Sequence, residues 1–225
     1  MNIIVIPIYK NWHLCHSLLN SLRKFEKDNI DQVYVVNDFS EDAEVDGGLD
    51  FWVSSGLIRV QVIENEENLG FTLSANKGLK TASKDFSDGD VIHLISSDVK
   101  IGGRFIERVS QAAESQKSLV GQKLLYGDTG WNTFDGKIFP YLEGWFLSCA
   151  VGGWKDLGYF DDAYAPYDYE DIDLSTMAVS KGYKTIPMNL PAITHAGGGT
   201  IGYTDERRAI TERNREYFRR KWTDV

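Results

Sequence analysis

Short apolar runs alternate with amphipathic helical patterns over the first hundred residues, and this alternation limits the folds open to the chain. The region from Asn11 to Phe25 carries leucines at helical spacing, and a second helical pattern follows Gly70. Strands that alternate with helices predict an α/β fold with a mostly parallel central sheet flanked by helices. The apolar runs that predict buried strands are Asn2 to Ile8, Val33 to Val36, Ile58 to Ile63 and Val91 to Ile95.

The second half of the chain is less regular. The stretch 121–153 is rich in glycine and aromatic residues, and we interpret it as short strands and loops that could form a binding pocket. Residues 154–168 follow as a loop. The other predicted elements are helices at 102–118, 170–181 and 204–222, a strand at 183–187 and a loop at 195–199. Gly182 is expected to close the helix before it at the C′ position.

Composition narrows the class of protein. A chain of 225 residues with 42% hydrophobic and 25% charged residues favours one globular domain. The net charge of −9 argues against nucleic acid as a partner, because phosphate backbones attract basic surfaces. Cys15 and Cys149 lie in apolar runs without metal-ligand spacing, which favours buried free thiols in a reducing compartment. With no signal-peptide pattern and no apolar run of membrane-spanning length, we expect a cytoplasmic protein.

Asp98 is the first candidate functional residue. It follows the apolar strand 91–95 and the pair Ser96-Ser97. Ligands of open α/β sheets bind at the carboxyl ends of the strands, so an acid at this place predicts a divalent metal held on a diphosphate. The structural alternative is a helix N-cap for the segment after Gly102.

Two further strand ends carry polar residues. Asp38, after the second strand, could accept a hydrogen bond from a nucleobase or a ribose; alternatively, it closes the strand as an Asx turn. In the stretch Asn68-Leu69-Gly70, small residues would let the backbone approach a ligand, or they simply begin a helix that tolerates a glycine.

Four carboxylates lie within six residues at 168–173. A helix N-terminus favours one or two acids, but it does not explain four that repel one another. Crowded carboxylates raise one another's pKa, which suits a general base.

His195 precedes a triple glycine and could ligate the same metal as Asp98, although a lone histidine is more often structural. The run 197–202 matches G-x-G-x-x-G, but only about twenty residues follow it, whereas the dinucleotide-binding fingerprint needs a complete βαβ unit. We therefore reject a Rossmann dehydrogenase.

Taken in order, these motifs resemble the family 2 glycosyltransferases, which have the GT-A fold, and in particular bacterial rhamnosyltransferase-like members. The resemblance covers almost the whole chain. It rests on Ile4 to Lys10, Val36 to Asp42, Asn68 to Phe71 with Asn76 to Gly78, Ser96 to Asp98, Gly153 to Asp161, Tyr169 to Leu174, His195 and Asn214 to Trp222.

Three positions depart from the family pattern. Asn37 replaces the first acid of an Asp-Asp pair, so Asp38 would act alone in donor recognition. Phe39 stands where glycine is usual. Ser96 replaces the first acid of the metal-binding D-x-D motif, which leaves Asp98 and His195 as the expected metal ligands.

The resemblance implies a single GT-A domain over 1–225, with a nucleotide-sugar-binding half at 1–100, an acceptor and catalytic half at 101–203 and a C-terminal helix at 204–225. It also implies an inverting transfer from a UDP-, GDP- or dTDP-sugar to a saccharide or lipid-linked acceptor, as in polysaccharide biosynthesis, with Mn²⁺ or Mg²⁺. Asp171 would be the general base. The residues expected to contact the donor are Pro7, Tyr9, Asp38, Asn68, Gly70, Asn76 and Ser97.

Asp168 and Glu170 would orient sugar hydroxyls, and Trp145 and Trp154 are candidates for sugar stacking, with a core position as the alternative. The basic residues of the terminal helix either form a solvated face or meet a membrane-bound acceptor. Two rival functions remain at this stage: a sugar-nucleotide pyrophosphorylase, and a non-catalytic protein that binds carbohydrate or nucleotide sugar.

Overall fold

A central sheet with helices on both faces makes up most of the molecule, in a computed structural model that describes residues 1–114, 117–196 and 204–223. The strands are β1 (Asn2–Ile8), β2 (Gln32–Asn37), β3 (Val60–Glu64), β4 (Val91–Ile95), β5 (Val99–Ile101), β6 (Ser118–Gly121), β7 (Leu124–Leu125), β8 (Thr133–Phe134), β9 (Lys137–Ile138), β10 (Tyr141–Leu142), β11 (Phe146–Ala150), β12 (Lys184–Pro187) and β13 (Ile193–His195). The helices are α1 (Trp12–Glu26), α2 (Ala43–Ser55), α3 (Gly70–Asp85), α4 (Ile106–Ala113), α5 (Val151–Leu157), α6 (Glu170–Ser180) and α7 (Asp205–Trp222), with a 3₁₀ turn at Asp162–Tyr164.

The central sheet has seven strands in the spatial order β12-β6-β11-β4-β1-β2-β3. Strands β4, β1, β2 and β3 pair in parallel, as do β12 and β6, whereas β11 runs antiparallel to both of its neighbours. The predicted α/β architecture with a mainly parallel sheet is therefore confirmed. Because β4 from the first half of the chain pairs with β11 from the second, one sheet spans both of the predicted halves.

Strand β1 is buried on both faces, as its continuous apolar run predicts. Ile4, Ile6 and Ile8 pack in a core cluster with residues of α1, α2 and α4. Ile3 and Val5 point the other way and pack with residues of α3, α5 and α6. The helices thus form one layer on each face of the sheet.

Helix α2 is absent from the sequence-based prediction. It begins after Asp42, whose side chain accepts a hydrogen bond from the backbone N–H of Glu44, but two glycines in its first turns obscure the helical pattern. Gly48 is required by packing, because a Cβ atom at this position would lie 2.1 Å from the Trp12 ring. A close contact between two helices therefore outweighs the low helical propensity of glycine.

The segment predicted to be irregular contains a central strand and a helix. Strand β11 lies between β4 and β6, and α5 follows it without a break, so the prediction of a loop from residue 154 is wrong as far as Leu157. The strand is only five residues long and its serine and cysteine weaken the apolar pattern. The predicted helix at 102–118 is also shorter in the structure, where α4 covers Ile106–Ala113.

His195 belongs to a strand instead of the predicted loop. Strand β13 pairs antiparallel with β5, and His195 lies opposite Val99 in this ladder. Since Val99 follows Asp98 directly, the pairing brings together two residues that lie almost a hundred positions apart in the chain. The glycine-rich run 197–202 is outside the described residues.

Both cysteines are free and buried, as expected, and burial raises the pKa of each thiol to about 12. Among the described residues, none of the helices combines the length and the apolar character that crossing a bilayer requires.

Glu26, at the end of α1, is a buried carboxylate that connects α1 to α4. Its Oε1 atom accepts hydrogen bonds from the backbone N–H groups of Phe105 and Ile106, where α4 begins, the second at 3.1 Å. The N-terminal N–H groups of a helix have no partner within the helix, and a carboxylate there also interacts favourably with the helix dipole.

We expect Glu26→Ala to lower the free energy of unfolding by about 1–3 kcal/mol, because it leaves buried N–H groups without an acceptor. Urea unfolding measures this loss, and Arg23→Ala, at an exposed position of the same helix, serves as the control. A loss no larger than that of the control would show that Glu26 does not support α4.

Candidate active site

A cavity of about 810 Å³ opens at the carboxyl ends of β1, β2 and β4. Parallel strands bring their carboxyl ends to one edge, where open α/β sheets bind their ligands. Segments from both halves of the chain and the start of α7 line it. The predicted site residues that the structure brings together here are Pro7, Tyr9, Asp38, Asn68, Gly70, Ser97, Asp98, Trp145, Asp168, Glu170, Asp171 and His195.

Asp98 and His195 form a pair within this cavity. The Nε2 atom of His195 lies 3.1 Å from Oδ1 of Asp98, and the hydroxyl of Ser96 donates to the same oxygen at 2.8 Å. Burial raises the pKa of Asp98, but the hydrogen bonds from His195 and Ser96 outweigh it, so the net pKa lies below its ordinary value. Asp98 therefore stays ionised at neutral pH, although its side chain is buried.

The side chains of Asp98 and His195 offer ligand atoms that suit a divalent cation. A carboxylate oxygen and an imidazole nitrogen are ligands that Mn²⁺ accepts, and both line the cavity. In the described parts of the chain, no group of three or more His, Cys, Asp or Glu side chains could hold a metal. A cation would therefore need diphosphate oxygens or water to complete its coordination, as is usual for Mg²⁺ with nucleotide ligands.

Trp145 packs against this pair. Its ring is stacked on the His195 ring, with centroids 5.0 Å apart and an interplanar angle of 10°. Its indole N–H donates to Glu143 at 3.3 Å, and its backbone carbonyl accepts from the N–H of Ser96. The contacts of Trp145 thus hold the orientation of His195, a role that the prediction of sugar stacking did not include.

Asp171 and Glu170 lie at the start of α6 and face the cavity. Asp171 accepts hydrogen bonds from the backbone N–H groups of Gly144 and Ile172, at 2.9 and 2.8 Å, and these lower its pKa. Burial has the larger effect and raises the pKa to about 7. Burial and the neighbouring charge of Asp171 also raise the pKa of Glu170 well above its ordinary value. The Oε2 atom of Glu170 is buried and has no hydrogen-bond partner within the described structure.

The other two acids of this segment are bound by α7. Asp168 accepts hydrogen bonds from the guanidinium of Arg207, at 2.9 and 3.2 Å, and from the hydroxyl of Thr211 at 2.7 Å. Asp173 accepts from Lys221 at 2.9 Å and from the Trp222 indole at 2.7 Å. Asp168 lines the cavity, whereas Asp173 lies outside it.

Asp38 organises the loop that forms one wall of the cavity. Its two carboxylate oxygens accept hydrogen bonds from the side chain of Asn65 and from the backbone N–H groups of Leu69 and Gly70, at 2.8–2.9 Å. Gly70 has a φ of +79°, and a Cβ atom there would lie 2.2 Å from Pro166. The loop thus needs both the carboxylate and the glycine.

Two predicted site residues lie outside the cavity, and those predictions need correction. Trp154 is fully buried and donates its indole N–H to the carbonyl of Ile92, so it packs in the core and cannot stack on a sugar. Asn76 is buried and bonds the backbone of Phe160 and the side chain of Asp162. Its amide joins α3 to the segment that leads to Asp168, so it supports the cavity wall from behind.

Several cavity residues were missed by the sequence reasoning. Tyr141, Glu143, Pro166, Tyr167, Glu206, Arg207 and Ile210 also line the cavity. In the sequence, Arg207 is only one of several basic residues of the terminal helix. Its place near the start of α7 does not identify it as a cavity residue, because its contact with Asp168 depends on how α7 packs.

Comparison with curated proteins gave no significant match. Comparison with solved structures found GT-A glycosyltransferases. The mannosyltransferase PcManGT from Pyrobaculum calidifontis, in complex with GDP-Man and Mn²⁺, matches with a TM-score of 0.60 and 16% identity over 83% of this chain and 54% of that one. TarS from S. aureus, residues 1–349 in complex with UDP-GlcNAc, matches with a TM-score of 0.62 and 19% identity over 90% of this chain and 61% of that one.

A third structure, GalNAc-T7 with UDP, GalNAc and Mn²⁺, has a TM-score of 0.72 and 11% identity over 87% of this chain and 43% of that one. The chain therefore spans between about two fifths and three fifths of these proteins. At such low sequence identity, the structural similarity shows a shared fold and no more than that. The match to a family model is independent of it: residues 3–172 match Glycosyl transferase family 2, and the chain belongs to that family.

Proposed function

We propose that this protein is an inverting, metal-dependent glycosyltransferase that moves a sugar from a nucleotide-diphosphate donor to an acceptor hydroxyl. The observation that carries the proposal is the placement of two different groups in one cavity. The ionised Asp98, paired with His195, lies in the same cavity as Asp171, whose pKa is raised to about 7. The first suits a cation on a diphosphate, and the second suits a general base.

At the donor side, Asp98 and His195 would hold a divalent cation on the diphosphate. When bound, this cation neutralises charge on the leaving nucleotide diphosphate. Ser96 keeps Asp98 oriented through its hydroxyl, and Trp145 does the same for His195 through ring stacking. Pro7, Tyr9, Asn68, Gly70 and Ser97 line the remaining donor side, and Asp38 shapes it by holding the loop at Leu69 and Gly70.

At the acceptor side, Asp171 would take the proton of the acceptor hydroxyl as that oxygen attacks the anomeric carbon from the face opposite the leaving group. The N–H of Gly144 holds its Oδ2 atom, which fixes the carboxylate in place. Burial and the charge of Asp171 raise the pKa of Glu170, which favours its protonated form, and a protonated carboxyl group can donate a hydrogen bond to a sugar hydroxyl. Asp168, held by Arg207, fixes the segment from which both project.

Nucleotide-sugar binding is tested by thermal unfolding with UDP-, GDP- and dTDP-sugars, each with and without Mn²⁺. A matching donor near a hundredfold excess over its Kd should raise the Tm by about 5–10 °C, and Mn²⁺ should increase the shift. Asp98→Asn should remove the increase due to Mn²⁺, whereas Asp88→Asn, the same change at an exposed position, should not. If no nucleotide sugar stabilises the wild-type protein in either condition, the proposed function is wrong.

The base assignment is tested by Asp171→Asn. For the wild-type enzyme we expect kcat/KM to rise with pH through about 7, because Asp171 must lose its proton to act as a base and its pKa is raised to that value. The variant should lose about 10²–10⁴-fold in transfer and lack this rise, with the donor-induced Tm shift retained.

Asp88→Asn again serves as the control for this experiment. Unchanged transfer by Asp171→Asn would contradict the assignment of the base. A wild-type protein that binds the donor but transfers no sugar to any acceptor would instead favour a binding protein without catalysis.

A further inference from the structure

A second groove, of about 340 Å³, lies beside the first turns of α7, and Arg207 lines both this groove and the active-site cavity. Its other lining residues include Trp131, Tyr169, Arg208, Glu212 and Arg215. We call it the Trp131 groove. Tyr169 directly precedes Glu170 and Asp171 in the chain, so the groove adjoins the acceptor side of the cavity.

Trp131 gives the groove an exposed aromatic surface. Trp131 is 44% exposed, although tryptophan residues are usually well buried. Its position is defined by two contacts: its backbone carbonyl accepts from the Tyr169 hydroxyl at 3.0 Å, and the two rings lie 6.3 Å apart. A half-exposed indole that packs against Tyr169 beside the cavity offers a flat apolar face to a ligand with apolar C–H surfaces.

The charged residues around Trp131 are of mixed sign. Arg208 lies 3.6 Å from Asp205, and the guanidinium of Arg215 lies 5.5 Å from the centroid of the Phe134 ring. Glu212 adds a second carboxylate to the lining. Because the lining combines arginine donors with carboxylate acceptors, it matches a polyhydroxylated ligand, whose hydroxyls both donate and accept, better than it matches a phosphate or another polyanion.

We propose that the Trp131 groove binds the second sugar unit of an oligosaccharide acceptor, counted from the unit whose hydroxyl reaches Asp171. The inference rests on the proposed function, since it extends the acceptor side of that site. It assigns a substrate class: acceptors of at least two sugar units, of which the second stacks on Trp131.

The experiment is a glycan array that presents neutral monosaccharides, the corresponding di-, tri- and tetrasaccharides, and phosphorylated monosaccharides. The proteins compared are the wild type, Trp131→Ala, Trp131→Phe and Tyr126→Ala. Tyr126 is a matched control, because it is 64% exposed, lies in the same segment and lines neither the cavity nor the groove. Thermal unfolding of each variant shows whether it is folded, and Trp131→Phe keeps an aromatic ring if the alanine variant is not.

We expect the wild type and Tyr126→Ala to retain at least one oligosaccharide more tightly than the corresponding monosaccharide. Trp131→Ala should weaken this binding about tenfold, the size expected for the loss of one aromatic contact, and Trp131→Phe should lie between the two. Equal retention by Trp131→Ala and the wild type overturns the inference. So does a wild-type protein that prefers phosphorylated monosaccharides or that retains no oligosaccharide.

Donor binding separates this inference from the proposed function. Trp131→Ala should show the same nucleotide-sugar-induced Tm shift as the wild type, because Trp131 does not line the active-site cavity. If the array result fails while the donor shift is present, the groove is wrongly assigned and the glycosyltransferase function stands. If the donor shift is missing in the wild type, the proposed function fails, whatever the array shows.

Discussion

Four carboxylates within six residues of a largely buried segment cannot all remain ionised without compensation, and the C-terminal half of the molecule is arranged around this constraint. Helix α7 supplies cations to the two outer acids: Arg207 binds Asp168, and Lys221 binds Asp173. For the two inner acids, Glu170 and Asp171, burial and the charge of neighbouring acids raise the pKa. The same helix therefore stabilises the segment and leaves two perturbed acids facing the cavity. Most of the basic side chains of α7 contact other groups of the same chain.

Contacts in the structure account for two of the three departures from the family pattern. Ser96, in place of the first acid of D-x-D, donates its hydroxyl to Asp98 and orients the remaining carboxylate. Asp38, without a second acid before it, uses both oxygens to hold the loop at Leu69 and Gly70. At both places the family pattern has a second acid, and here the remaining carboxylate is held by hydrogen bonds within the cavity wall. This keeps the wall ordered with fewer like charges around the proposed diphosphate position.

Two long-range contacts bring distant parts of the chain together around the cavity. The β5–β13 ladder places His195 beside Asp98, and the docking of α7 places Arg207 beside Asp168. Neither contact is local in sequence, and together they bring Asp98, His195, Asp168 and Arg207 to one cavity. The Trp131 groove depends on the docking of α7 as well, because α7 forms one of its walls.

The sequence by itself determined the parallel strands of the first half, the helix at 170–180 and the candidate residues at the strand ends. Hydrophobic periodicity is a local property and the position of strand ends follows from topology, so both can be inferred from the sequence alone. Only the tertiary structure decided that Trp154 and Asn76 are structural, that β11 is a central strand, and that Arg207 and Trp145 support the site. The residue type of a tryptophan does not show whether its indole is buried or exposed. The contact between α7 and Asp168 likewise depends on how the helix packs. For this reason Asp98 and His195 could be proposed as a pair from the sequence, whereas the 3.1 Å contact between them depends on the pairing of β13 with β5.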